Sequence, residues 1–228
     1  MKLADILLPR RMVCFLCGMP THGDALCRDC QAELDAARLH ETARPDVFME
    51  ATCSAWYHEG AARKLVHRLK YDAVADAAEV LAVGMAEAAR ANAYPTDAVV
   101  TSVPMPEKRQ RARGIDHGRV LAEKVAAALS LRYEPLMTRT GKAHTQRGLS
   151  RAQRLRNLTN AFAAAPLDGM KVLLIDDVLT TGATSHACAR TLKEAGASGV
   201  WVLTATKARR DKDTHWLRRL LRRKGWIR

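Results

Sequence analysis

The chain has 228 residues, room for one sizeable α/β domain with a small appendage. A formal net charge of +13 points to polyanionic ligands or partners, and 48% hydrophobic residues is ordinary for a soluble domain. The sequence has no run of about twenty apolar residues, so no membrane-spanning helix is expected. The apolar stretch between Met1 and Pro9 is too short for the core of a secretory signal.

In chain order, residues 14–30 come first, as Cys-x2-Cys-x9-Cys-x2-Cys. Two close hooks can wrap the thiolates of Cys14, Cys17, Cys27 and Cys30 around one tetrahedral Zn²⁺, with Gly18 and Gly23 allowing tight turns. Such a site is structural, because no coordination position is left for substrate. The competing reading is two redox-active pairs or free thiols; His22 reads as an exposed loop residue. With Cys53 and Cys188 read as buried apolar residues, the cysteine pattern suits a reducing cytoplasm better than an exported disulfide framework.

Residues 31–43 read as a short polar helix running into a linker near Arg44-Pro45-Asp46, so the main domain is expected over 47–228 and the cysteine module with its helix over 1–46. A strand is predicted over Cys53–Tyr57, helices over Arg63–Lys70 and Ala73–Ala91, and a strand over Asp97–Val103. That strand ends in Val103-Pro104-Met105-Pro106, where two prolines stop a ladder and stiffen the loop. Lys108, Arg109, Arg111 and Arg113 follow and read as a basic loop at a strand's C-terminal end, where open α/β sheets bind ligands. Gly114 suits a positive φ, and Asp116 can cap a helix running to Leu129. Residues 139–156 contain Arg139, Lys142, Arg147, Arg151, Arg154 and Arg156 and no acid. Either an anion-closing loop or a nucleic-acid groove would account for them.

The chain is organised around residues 171–184. The apolar run Val172–Ile175 suits a buried parallel strand. Asp176 and Asp177 follow at its C-terminal end, then Thr180-Thr181-Gly182-Ala183-Thr184 and a helix to Ala195 with Gly196 as its C-terminal stop. Small residues let backbone N–H groups approach a phosphate, and a helix N-terminus adds favourable partial charge. The acids would repel that same phosphate, so they suit ribose hydroxyls, or Mg²⁺ shared with a pyrophosphate. A P-loop is excluded, since no Gly-Lys-Ser/Thr follows the turn. Beyond it, Gly199–Thr206 reads as another buried parallel strand and His186 as a solvent-facing helix residue. Residues 207–228 carry ten Lys/Arg against Asp211 and Asp213, a net +8, and read as a basic helix packed by its apolar side or set on an anionic surface.

Ile175-Asp176-Asp177-Val178-Leu179-Thr180-Thr181-Gly182-Ala183-Thr184 resembles the binding signature of type I phosphoribosyltransferases. Tyr57-His58 and Leu69-Lys70-Tyr71, with the four cysteines, resemble the ComF family of DNA-uptake competence proteins from Cys14 to about Lys207. The resemblance implies an α/β fold with a mainly parallel sheet flanked by helices, preceded by a small zinc-ribbon-like module. It implies phosphoribosyl pyrophosphate as ligand, Mg²⁺ with it and structural Zn²⁺. Asp176, Asp177, Val178, Thr180, Thr181, Gly182, Ala183, Thr184, Pro104, Met105 and Arg113 would bind that ligand, while Lys142 and Arg147 would join the two acids in catalysis. Lys70 is either near the phosphate or a solvated helix-end lysine. Arg113-Gly114-Ile115-Asp116-His117 departs from the family's Arg-Gly-Phe-Asn-Gln, so His117 puts an amide contact there in doubt. The expected function is phosphoribosyl transfer to an unidentified acceptor in DNA uptake. The alternative is a nucleic-acid-binding competence protein that uses the site as a sensor without catalysis. Single-stranded DNA and competence DNA-uptake proteins are the expected partners, and a homodimer stays open.

Overall fold

The computed structural model describes residues 13–39, 42–43, 47–72, 74–140 and 161–209. Its elements run α1 (Arg28–Ala36), β1 (Thr42–Ala43), β2 (Ala51–Tyr57), α2 (Gly60–Tyr71), α3 (Val74–Ala91), β3 (Val99–Ser102), α4 (Glu107–Arg113), α5 (His117–Leu129), β4 (Met137–Arg139), β5 (Phe162–Ala164), β6 (Lys171–Leu179), α6 (Ala183–Glu194) and β7 (Gly199–Lys207). The main sheet has the order β1-β2-β7-β6-β3. Its four longer strands are parallel and only β1 is antiparallel. This is the α/β fold expected from the sequence.

The central strands are apolar on both faces because helices cover both. Leu173, Ile175, Leu203 and Ala205 pack with Leu65, Leu69, Leu81, Met85 and Leu121 of α2, α3 and α5. Val172, Leu174, Val200 and Val202 pack with Cys188, Ala189 and Leu192 of α6. Each Leu, Ile, Val or Met side chain among them, fully withdrawn from water, contributes about 1.5–3 kcal/mol. The alanine-rich α3 comes close to the sheet: a Cβ on Gly84 would lie 2.2 Å from the Trp56 ring.

The cysteine module joins the first of these cores. Cys14, Leu26, Cys30 and Leu34 belong to the same buried cluster as Ala55 and Leu65. Several sequence expectations are corrected here. The polar helix spans 28–36, not 31–43, and Thr42–Ala43 pairs antiparallel with Thr52 and Cys53. The basic stretch after Pro106 is the helix α4, entered through Pro106 and closed by Gly114 at φ +72°. The central strand does not stop at Ile175; it continues to Leu179, because β7 offers partners as far as Lys207. The pairing of β4 with β5 was not anticipated; these strands bracket residues 141–160, outside the described residues.

Candidate functional site

The site lies at the C-terminal edge of the parallel strands, and β6 carries the chain into it. Side chains alternate across a strand. Asp177 therefore follows Leu173 and Ile175 onto the face of α2, α3 and α5, and Asp176 follows Val172 and Leu174 onto the face of α6. Asp177 Oδ2 accepts from Lys70 Nζ at 2.8 Å and from His117 Nε2 at 3.1 Å. Burial pushes the Asp177 carboxyl up, but the His117 hydrogen bond and the Lys70 charge outweigh it and hold the group below its ordinary range. Burial and the neighbouring Asp177 push the Asp176 carboxyl up. The N–H of Asp177, 2.9 Å from Asp176 Oδ1, offsets only part of that. Two adjacent carboxylates are thus electrostatically unlike.

His117 starts α5, whose cap is Asp116 Oδ1 accepting from Arg119 N at 3.0 Å. Facing a carboxylate, His117 Nε2 donates, which leaves Nδ1 as an acceptor for Arg113 Nη1 at 3.2 Å. The imidazole thus bridges guanidinium and carboxylate. Arg113 lies over the Tyr71 ring, 4.9 Å from its centroid, and its Nη2 donates to the Tyr71 hydroxyl at 3.3 Å. Tyr71 directly follows Lys70, so the end of α2, the turn into α5 and the end of β6 meet at one point.

The turn after β6 is the anion-binding half. Gly182 takes φ +77°, a conformation that costs an L side chain. Space is not the reason, since a Cβ there would meet only Leu179, at 3.8 Å. Ala183 N donates to Thr181 Oγ1 at 3.4 Å, and the N-cap residue, Gly182, has no side chain with which to cap α6. The first N–H groups of α6 thus lie beside Thr180, Thr181 and Thr184 as donors without intrahelical partners. Val178 pairs with Thr206 of β7.

Pro104 and Met105 leave β3 beside β6, with Val103 N donating to Ile175 O at 3.1 Å. With Tyr133 and Arg139 they line a cleft of about 590 Å³ against α4, α5 and β4. Asp176, Asp177 and the 180–184 turn are not among its lining residues. Of the residues singled out from the sequence, the structure thus gathers Asp177 and Arg113 with Lys70, and sets the 180–184 turn at the end of the same strand. It puts Asp176 on the other face, and Pro104 and Met105 on the neighbouring strand's loop. Lys142 and Arg147 lie outside the described residues. Sequence reasoning left Lys70 undecided and put an amide contact at His117 in doubt, whereas both side chains contact Asp177. Two basic side chains at helix ends on the ligand-binding edge were the available signal. His58 was not singled out as a site residue; its Nδ1 is 2.8 Å from Thr206 Oγ1.

At the N-terminal module the ligand atoms of Cys14, Cys17, Cys27 and Cys30 all lie within 4.8 Å of one another. Sulfurs about 2.3 Å from a tetrahedral centre would be about 3.8 Å apart, so the cluster has the dimensions of a four-thiolate metal site. Burial pushes the Cys14 thiol up, but backbone N–H groups of Cys27, Cys17 and Leu16 outweigh it and bring it to about 6. Cys14 is therefore a thiolate at neutral pH, whereas burial and the neighbouring thiols push Cys30 up.

Residues 115–228, half of the sequence, match the phosphoribosyl transferase domain family, and the chain belongs to it. The chain is similar to the DNA utilization protein YhgH of Salmonella typhi, 33% identical over 62% of this chain and 66% of that protein, so it spans just under two thirds of that relative. It is similar over a longer stretch to the competence protein ComFC of Bacillus subtilis, 28% identical over 81% of this chain and 72% of that one. Among solved structures it resembles the adenine phosphoribosyltransferase of Thermoanaerobacter pseudethanolicus, 18% identical over 58% of this chain and 81% of that chain, with a TM-score of 0.38. The ComF resemblance read from the sequence agrees with these relatives and with the four-cysteine cluster. Among the described residues no helix is long and apolar enough to cross a membrane.

Proposed function

We propose that the chain binds phosphoribosyl pyrophosphate with Mg²⁺ at this edge and transfers its phosphoribosyl group to an acceptor, as a cytoplasmic protein of DNA uptake or utilisation. The observation that carries this reading is the juncture of β6 and α6. A left-handed Gly182 and a helix start with glycine at its N-cap form an anion cradle, directly after a pair of acids. In this reading Thr180, Thr181, Gly182, Ala183 and Thr184 hold the 5-phosphate. Asp176 and Asp177 address the ribose diol. The stiff loop with Pro104 and Met105, on the β3 side, faces the pyrophosphate, and Arg113 supplies positive charge toward it. Mg²⁺ would neutralise the pyrophosphate oxygens. The protein contributes positioning and electrostatics. Lys142 and Arg147 are proposed to act on the pyrophosphate from the 139–156 stretch. Cys14, Cys17, Cys27 and Cys30 would hold a structural Zn²⁺, and the names of the relatives support the DNA-linked role.

Calorimetric titration with phosphoribosyl pyrophosphate, with and without Mg²⁺, tests the reading. Saturable, Mg²⁺-dependent binding is expected; no binding in either condition would overturn it. A second reading is favoured by α4, which exposes Arg109 and Arg111 beside the site. Here the chain binds single-stranded DNA or a DNA-uptake partner, and the ligand site only senses. Steeply salt-dependent DNA binding, without turnover of bound phosphoribosyl pyrophosphate, would select it.

A further inference from the structure

Resting on that reading of the site, we propose that His58 takes the proton from the acceptor as the acceptor attacks the ribose. Thr206 Oγ1 donates to the backbone O of Asp177 at 3.3 Å. With its proton on that carbonyl, the hydroxyl meets His58 Nδ1, 2.8 Å away, as an acceptor. His58 must then carry its proton on Nδ1, which leaves the lone pair on Nε2. The other bond that steadies this residue is from the backbone, His58 N donating to Lys207 O at 2.8 Å. Among the described residues no partner binds Nε2.

The surrounding charges keep this nitrogen bare. Burial, then the cations Lys70 and Arg63 of α2, push the imidazole below its ordinary pKa and outweigh Asp177 of β6. Its sequence neighbour Glu59 is engaged by Arg209, at 2.7 and 2.8 Å. A neutral imidazole with one anchored N–H and one free lone pair is suited to accept a proton at neutral pH.

Topology places it on the acceptor's side. The sheet order is β2-β7-β6-β3 through the parallel strands. The loop assigned to the pyrophosphate leaves β3, on one flank of β6. His58 follows β2, on the opposite flank, two strands or roughly 10 Å from β6. A nucleophile displacing pyrophosphate approaches the ribose carbon from the flank away from the leaving group. The acceptor's N–H or O–H gives its proton to His58 Nε2, and its lone pair forms the bond to ribose C1. The C1–O bond to pyrophosphate breaks, and the electron pair leaves on the pyrophosphate oxygen. The imidazolium later releases its proton to water. The acceptor class is thus a nucleophile that carries a titratable proton, such as a heterocyclic N–H, an amine or, most slowly, water.

The test uses the full chain with phosphoribosyl pyrophosphate and Mg²⁺, and water as the acceptor. ¹⁵N NMR of the imidazoles should show His58 protonated at Nδ1 and bare at Nε2. His58→Asn places an amide donor near the Nδ1 position but has no Nε2. It should bind phosphoribosyl pyrophosphate with unchanged affinity and release pyrophosphate about 10²–10⁴-fold more slowly. The wild-type rate should rise with pH to a plateau, and the variant's should not follow that curve. Thr206→Val, a second variant, should lose the single tautomer and slow the reaction. A proton on Nε2, an undiminished rate in His58→Asn, or a wild type that binds the ligand without releasing pyrophosphate would each overturn the role of His58 and leave the binding site standing. A wild type that fails to bind at all would instead overturn the site's assignment, and the role with it.

Discussion

Neutralising the two adjacent acids one at a time should have opposite effects on stability and the same effect on ligand binding. Asp177 accepts from Lys70 at 2.8 Å and from His117 at 3.1 Å, with the lysine and aspartate side chains 23% and 14% exposed. Asp177→Asn keeps the shape but leaves Lys70 beside a neutral amide in a largely enclosed place. A hydrogen bond to a charged group contributes about 1.5–3 kcal/mol, so a loss of about 2 kcal/mol is expected. For a domain of this size that lowers Tm by roughly 4–8 °C. Among the described residues Asp176 has no such partner. Burial and Asp177 raise its pKa, so its ionised form costs folding energy. Asp176→Asn should leave Tm unchanged or raise it. The pH dependence follows the same signs. The stabilisation from Asp177, whose folded pKa is depressed, is present above the unfolded carboxylate value and lost as pH falls through the folded one. The contribution of Asp176, whose folded pKa is raised, is greatest below the unfolded value and disappears as pH rises through the folded one. Urea denaturation between pH 3 and 8, paired with calorimetry against phosphoribosyl pyrophosphate, reads both effects. Equal destabilisation by the two variants would refute the electrostatic asymmetry. Retained Mg²⁺-dependent binding after both acids are neutralised would refute their ligand role.

Gly182→Val should lower affinity for every 5-phosphorylated ligand, ribose 5-phosphate included, because a β-branched side chain strains a φ of +77° by about 1–2 kcal/mol and crowds the cradle; calorimetry with ribose 5-phosphate checks it, and unchanged affinity would remove the turn from the site. The purified protein should contain about one zinc per chain, and Cys14→Ser or Cys30→Ser should lose it and destabilise the module together with the core it shares with α2, read by metal analysis and thermal melting. Gly84→Ala should cost about 1–3 kcal/mol, since its methyl would lie 2.2 Å from the Trp56 ring in a closed layer; a denaturant midpoint equal to that of the parent chain would show that the layer yields freely. Deleting residues 210–228, which carry eight Lys/Arg against Asp211 and Asp213, a net +6, should weaken single-stranded DNA binding and flatten its salt dependence while phosphoribosyl pyrophosphate binding survives; unchanged DNA affinity would leave this stretch without a DNA role.

What the sequence by itself determined is what local chemistry controls. Four cysteines in two Cys-x2-Cys hooks within seventeen residues are close enough in the chain to converge, since each hook closes through its own short turn. Gly114 and Gly182 stand where φ is positive, and Asp116 caps the helix that starts beside it, since turns and caps are settled by residues a few positions apart. The strand–acid–turn–helix succession at 172–195 was legible for the same reason. The tertiary structure alone decided how far β6 extends, because its last residues are strand only where β7 lies alongside to accept their hydrogen bonds. It alone decided that the two acids part to opposite faces, with Lys70 from α2 and His117 from α5 meeting on Asp177 across 107 and 60 positions of sequence. It turned the basic run after Pro106 into a helix, and it set His58 against Thr206, 148 residues away. Those contacts depend on the order in which strands are laid into the sheet, and a parallel sheet brings together chain ends that no local pattern relates.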